Sequence, residues 1–181
     1  NFSLNSLTNK PETKKQKVFV GISGGVDSAV SAILLKQQNY DVTGVFIRTW
    51  QPDFIECTWR DERRDAIRVC AALGVPFRTV DLEKEYRRRV FSYFIDEYEK
   101  GRTPNPDVMC NSEIKFRAFL QWARRAGADF IATGHYARIG GKSEILNPKS
   151  ETDPKSKIPK FKLLAAVDKN KDQSYFLYRL G

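Results

Sequence analysis

What this 181-residue chain has little of narrows its class. It holds three cysteines, Cys57, Cys70 and Cys110, and no C-x-x-C pair. That pattern argues against a disulfide framework or a zinc site and favours a reduced, cytoplasmic setting. No apolar run approaches the ~20 residues that span a bilayer, so no membrane partner is expected. Residues 1–17 have no apolar leader core, which argues against a secretory signal. The segment is polar, Lys-rich and nearly acid-free, and reads as a flexible tail over 1–16; a mitochondrial transit remnant is the alternative. No internal repeat is found. Hydrophobic residues are not scarce: they make up 41% of the chain, with 12 Phe, 7 Tyr and 3 Trp, enough for the core of one domain. Basic residues outnumber acidic ones 31 to 22, a net charge of +9. That excess suits a polyanionic partner as well as it suits simple solubility.

Strand and helix patterns alternate. Strands are expected over 17–20, 42–48, 76–80 and 130–133. Helices are expected over 27–38, 60–73, 82–100 and 112–126. The second helix places Ala66, Val69, Cys70 and Leu73 on one face and stops at Gly74. The third carries Tyr86, Val90, Phe94 and Tyr98 at four-residue spacing. The fourth follows a loop over 101–111, with Ser112 as its cap and Phe116, Phe119, Leu120 and Ala123 inward. Two short strands, near 137–146 and 161–167, flank a Pro-, Ser- and Lys-rich loop over 147–160. This alternation predicts an α/β fold, a Rossmann-like parallel sheet with helices on both faces. Ligands of such sheets sit beyond the carboxyl ends of the strands. Here those ends carry Ser23-Gly24-Gly25, Arg48-Thr49-Trp50, Val80-Asp81 and Gly134-His135.

The run Val18-Phe-Val-Gly-Ile-Ser-Gly-Gly-Val-Asp-Ser28 reads as strand, phosphate loop and helix. Glycine lets backbone approach an anion, and a helix start aims free N–H groups at it. Ser23, Gly24, Gly25 and Ser28 are candidates to line phosphates. Asp27 either orients the loop or holds Mg²⁺. The Walker spacing and its lysine are absent. A second constellation is Gly101-Arg-Thr-Pro-Asn-Pro-Asp-Val-Met-Cys-Asn111. Its prolines stiffen the loop. Cys110, just ahead of the expected helix start, is equally readable as a nucleophile of lowered pKa, helped by Lys115 and Arg117, and as a structural thiol. Asp107 is read as handling substrate protons or positioning a base.

Together, SGGVDS, GRTPNPDVMCN followed by EIKF, ATGHYAR and NKDQSYFLY resemble the tRNA-specific 2-thiouridylases of the PP-loop ATP pyrophosphatase superfamily, in the right order over about residues 17–180. The resemblance implies an adenine nucleotide alpha hydrolase-like fold for 17–181. It implies ATP-dependent adenylation of the wobble uridine O2 in tRNAs of Lys, Glu and Gln type, and sulfur transfer from a cysteine persulfide supplied by a donor protein. By matching position, Gly21, Ile22, Ser23, Gly24, Gly25, Val26, Asp27 and Ser28 would bind ATP, with Ile47 against adenine, where many relatives carry Met, and Gly134 also at the nucleotide. Asn105, Pro106 and Asp107 would contact the target uracil, Cys110 would be the nucleophile, and Lys171, Asp172 and Gln173 would contact tRNA. The family's second cysteine and its tRNA-gripping domains lie downstream of Gly181, so the chain is read as an N-terminal portion. Cys70 reads as core; neither it nor Cys57 is assigned as sulfur carrier.

Other residues keep two readings. His135, the single histidine, is either at the nucleotide or structural. Arg87-Arg88-Arg89 touches RNA phosphates or is a solvated face. Trp50 and Trp59 stack on bases or pack. Two competing functions stand beside the thiolase: another adenylating PP-loop enzyme, of amidotransferase-type ligase or lysidine-forming type, and a nucleotide-gated RNA-binding module. A Cys110→Ser change separates the first reading from both.

Overall fold

The computed structural model describes residues 14–52, 58–140 and 162–180. The apolar run at 18–20 forms the heart of β1 (Lys17–Gly21), which pairs in parallel with β2 (Asp41–Arg48) on one side and β4 (Phe130–Ala132) on the other. β3 (Phe77–Asp81) adds beyond β2, giving the order β3-β2-β1-β4. Val18 faces Val42 across one ladder and Phe130 across the other. A central parallel strand is covered on both faces, so its side chains divide between two cores. Val18, Val20 and Ile22 join Val42 and Phe46 on one face, and Phe19 joins Val45 and Val80 on the other.

The first face is covered by α1 (Val26–Gln37) and α2 (Trp59–Leu73), which contribute Ala32, Ala66 and Cys70. Cys70 sits so close to β2 that a Cβ on Gly44 would run into its Sγ. α2 ends where expected: Gly74 adopts φ +60° and donates its N–H to Ala71 O, a left-handed cap. The second face is covered by α3 (Glu83–Tyr86), a π-helical stretch Arg87–Phe91, α4 (Ser92–Glu99), α5 (Pro106–Met109), a longer π-helical stretch Cys110–Ala118, and α6 (Phe119–Arg125). Val90, Met109, Ile114, Ala118, Phe119 and Ala123 form that core.

Three expectations are corrected here. The helix expected over 82–100 is interrupted by the π-helical turn, and Tyr98 is 54% exposed, pairing edge-on with Phe94 at 4.7 Å instead of entering the core. The loop expected over 101–111 ends early, because Asn105 is extended and its Oδ1 accepts from the N–H groups of Asp107 and Val108, both at 3.1 Å. Pro106 then occupies the first helical position, where its missing N–H costs nothing. Ser112 is therefore not a cap; it lies inside the helix and its hydroxyl donates back to Met109 O at 3.3 Å.

The two short strands are β5 (Arg138–Gly140) and β6 (Lys162–Leu164), paired antiparallel. The loop expected over 147–160, residues 1–13 of the tail, and Cys57 lie outside the described residues. Two 3₁₀ turns, Lys169–Lys171 and Ser174–Leu177, close the chain's path, and Leu177 is buried. No helix among the described residues is long and apolar enough to cross a membrane.

Candidate active site

The carboxyl ends of β1, β2 and β4 open into a cleft of about 530 Å³. The loop after β1 forms one wall. Gly25 is extended (φ −81°, ψ 162°) and starts the twelve-residue α1 without a side-chain cap. The first-turn N–H groups of Val26 and Asp27 are left for a ligand, at the positive end of the helix dipole. The serines brace the loop itself. Ser28 Oγ donates to Gly25 O at 3.0 Å and accepts from Ser23 N–H at 3.4 Å, while Ser23 Oγ accepts from Gly25 N–H at 3.4 Å. Gly24 needs its glycine for another reason: at φ +85° it faces α2, where a Cβ would come within 2.9 Å of Asp65 Cβ. Gly134 lets the strand after-turn approach α1, since a Cβ there would lie 2.5 Å from Ser28 N.

The opposite wall is the 106–118 helix. It brings Asp107, Cys110, Asn111 and Lys115 to the cleft. Cys110 is half-buried, and burial pushes its thiol above the ordinary value; the Lys115 ammonium pulls it down and the Asp107 carboxylate pushes it up. This corrects the expectation of a lowered thiol pKa. The helix starts at Pro106, so Cys110 lies one turn inside it and no longer meets the free N–H groups of its first turn. Arg117 gives no help either, because it ion-pairs with Glu113 at 2.9 Å on the exposed side.

Between the walls lies a hydrogen-bonded chain that sequence reasoning missed. Thr133 Oγ1 meets His135 Nδ1 at 2.6 Å, and His135 Nε2 meets Asn111 Oδ1 at 3.0 Å. Asn111 is only 4% exposed. With Asn111 Oδ1 as acceptor, Nε2 carries the proton and Nδ1 accepts from the Thr133 hydroxyl. Burial, with the nearby Lys115 charge, lowers the His135 pKa to about 4, so the ring is neutral at physiological pH. His135 is thus both at the cleft and structural.

Of the residues singled out in the sequence, Gly21, Ile22, Ser23, Gly25, Val26, Asp27, Ser28, Ile47, Asp107, Cys110, Gly134 and Gln173 line this one cleft. Others stand beside it. Asn105 and Pro106 build the helix start. Lys171 reaches Asp27 at 3.2 Å, and its ammonium sits 4.6 Å from the Tyr136 ring centroid. Asp172 Oδ1 accepts from Ser174 N–H, which lowers its carboxyl pKa. Gln173 Oε1 accepts from Tyr136 N–H at 3.2 Å. The tryptophans pack: Trp50 lies 4.5 Å from Phe91, Arg48 and Arg60 cover Trp59, and neither ring lines the cleft. Glu62, Thr133 and Phe176 line it unannounced. Thr133 and Phe176 stand inside the ATGHYAR and NKDQSYFLY motifs, which marked their neighbours, whereas Glu62, on α2, belongs to no motif and had no local signal.

A family model, the tRNA methyl transferase HUP domain, matches residues 16–181. The chain belongs to this family. The family match takes in both walls of the cleft, from the loop after β1 to the thiol helix and the turn holding Gln173. Curated relatives include the tRNA-specific 2-thiouridylase MnmA of Christiangramia forsetii, 51% identical over 169 residues, covering 91% of this chain and 40% of that protein. The enzyme of the same name from Nitrosomonas europaea is 54% identical over 169 residues, covering 92% of this chain and 42% of that protein. The chain thus spans about two fifths of the length of the curated relatives it matches, 40% and 42% in these two. Among solved structures, the U34-tRNA thiolase NcsA from Methanococcus maripaludis aligns with TM-score 0.46 and 26% identity, covering 66% of this chain and 38% of that one.

Proposed function

We propose that this chain is the nucleotide-binding, thiol-bearing part of a tRNA 2-thiouridine synthase, one that uses ATP to activate the wobble uridine and replaces its O2 with sulfur. The observation that carries the reading is one cleft with an uncapped helix start on one wall and Cys110 with Asp107 on the other. Two relatives above 50% identity, both named tRNA-specific 2-thiouridylase, support the substrate.

ATP fits the residues present. The glycine-serine loop offers backbone donors to phosphate, and the half-buried Ile47 and buried Phe46 offer apolar surface for a base. When bound, ATP supplies an electrophilic α-phosphate that makes the uracil O2 a leaving group. Mg²⁺ fits less well as an ion held by the protein. Among the described residues no group of three or more His, Cys, Asp or Glu is clustered for a metal, and Asp27, the candidate carboxylate, is paired with Lys171. No step is assigned to it.

The chain's own residues then divide the work. The loop after β1 fixes the phosphates, and the neutral His135–Asn111 pair fixes the thiol helix against it. The target uridine, flipped out of its stack, enters between Asp107 and Cys110. The outer sulfur of a donor protein's cysteine persulfide bonds to C2 as AMP leaves, and the Cys110 thiolate then attacks the inner sulfur, which releases 2-thiouridine and leaves a disulfide between Cys110 and the donor cysteine. The remaining partners proposed are tRNAs of Lys, Glu and Gln type, met by Lys171, Asp172 and Gln173, with Asn105 and Pro106 shaping the uracil pocket. The domain reading follows: a tail over 1–16 and a catalytic PP-loop domain over 17–181, in a cytoplasmic protein.

The test uses a protein of the relatives' full length containing this chain, with unmodified tRNA, Mg-ATP and a cysteine persulfide as surrogate donor. Digested tRNA is assayed for 2-thiouridine by mass spectrometry, with AMP release followed in parallel. Thiouridine that disappears in Cys110→Ser is the expected result. AMP release without thiolation moves the substrate elsewhere in the superfamily, and neither product returns the chain to an RNA-binding module.

A further inference from the structure

Lys115 is half-buried in the cleft wall and makes no ion pair or side-chain hydrogen bond among the described residues. The neighbouring cations on the same helix and its partner are spent: Arg117 and Arg89 both hold Glu113, at 2.9 and 2.8 Å. A lysine in a cleft wall buries its stem and keeps its ammonium in the open space, where it can meet an anion that enters the cleft. The helix geometry says which anion. In an α-helix of about 3.6 residues per turn, positions five apart lie about 140° round the axis from one another. In the π-helical stretch Cys110–Ala118, where hydrogen bonds run i→i+5, such positions share a face. Cys110 and Lys115 are five apart, and both line the cleft.

We propose that Lys115 is the positioning residue that stabilises the Cys110 thiolate, and that the π-helical turn exists to bring the two side chains onto one face. The proposal rests on Cys110 being the reacting thiol. On ionisation the thiol proton leaves to water through the open cleft, and no other covalent change is involved. Groups facing the thiol from the other packed elements do not substitute for Lys115. Asp107 opposes a thiolate, Tyr86 is a neutral phenol whose pKa burial raises, Glu62 adds negative charge from α2, and His135 is neutral. Lys171, beyond the cleft, is held by Asp27. The direction of Lys115's effect on the thiol agrees with the geometry.

The experiment follows iodoacetamide alkylation of Cys110 in the 181-residue chain from pH 6.5 to 10, resolved from Cys57 and Cys70 by peptide mass spectrometry. Neither ATP nor tRNA is present, so the outcome is independent of whether the protein thiolates tRNA. An opposite charge within about 4–6 Å shifts a pKa by about one unit or more. Lys115→Gln should therefore move the profile to higher pH and slow alkylation at pH 8 about tenfold. Lys115→Arg should recover the rate to within about threefold, since it keeps the charge. Arg117→Gln, removing a cation already paired elsewhere, should leave the profile unchanged. Where Lys115→Gln loses the wild-type circular dichroism spectrum, Lys115→Met takes its place. A neutral, folded variant with the wild-type profile, or an Arg117→Gln effect as large as that of Lys115→Gln, overturns the proposal.

Discussion

At the scale of single residues, the environment of a side chain decides more than its type. His135, just after a strand end, and Cys110, one turn inside a helix, are both reactive groups, and both are pushed by burial toward their neutral forms. For His135 the consequence is a pH dependence of stability. Its folded pKa of about 4 lies below the ordinary histidine value of 6.5, so between these the unfolded chain binds more protons. Stability is full above pH 6.5 and is lost as pH falls toward 4. Discounted for the ring's partial exposure, the loss amounts to at most about 2 kcal/mol. The measurement compares urea midpoints at pH 7.5 and 5 for the wild type and His135→Gln. With no other histidine in the chain, the wild type should lose more on acidification than the variant. Equal losses would show that the ring titrates freely and that the chain to Asn111 and Thr133 does not hold it.

At the scale of elements, the parallel sheet, the α2 helix and its glycine stop were legible in the sequence, because β-branched runs and a four-residue apolar spacing are local signals. The start of the thiol helix was not, although its signal was present. Its two prolines read equally well as loop stiffeners, while Asn105-Pro106 is a capping residue followed by the residue best suited to the first helical position. The π-helical turns have no sequence signature at all, and the Asn111–His135 contact joins positions 24 apart, which periodicity cannot see. The capping assignment has a direct test. Asn105→Ala removes the acceptor of two backbone N–H groups and should cost about 1 kcal/mol in denaturant unfolding. Ser112→Ala removes only a hydroxyl bonded back along the helix and should stay within about 0.5 kcal/mol. The reverse order of these two losses would restore Ser112 as the helix start.

At the scale of the whole molecule, the cleft is the place where the two cores meet. Its phosphate-loop wall is α1, packed on one face of the sheet, and its thiol wall is a helix packed on the other. The bonds that reach the thiol helix here come from neither wall: the His135–Asn111 contact runs from the strand end after β4, and Arg179 of the last turn reaches Met109 Sδ at 2.8 Å. A ligand lying across the cleft therefore does more than fill it, because it couples elements that otherwise communicate through the sheet. Binding to the folded state alone stabilises it by mass action, about 2.7 kcal/mol at a concentration about 100 times Kd. Mg-ATP should thus raise the urea midpoint of the 181-residue chain, and hydrogen exchange should slow on both walls, in the first turn of α1 and in the helix from Cys110 onward. Pyrophosphate alone, which can occupy the loop but is too short to cross, should protect α1 and leave the thiol helix exchanging as before. Protection by ATP confined to α1 would mean that the nucleotide never spans the cleft, and the thiol would then have to meet its substrate without the nucleotide between them.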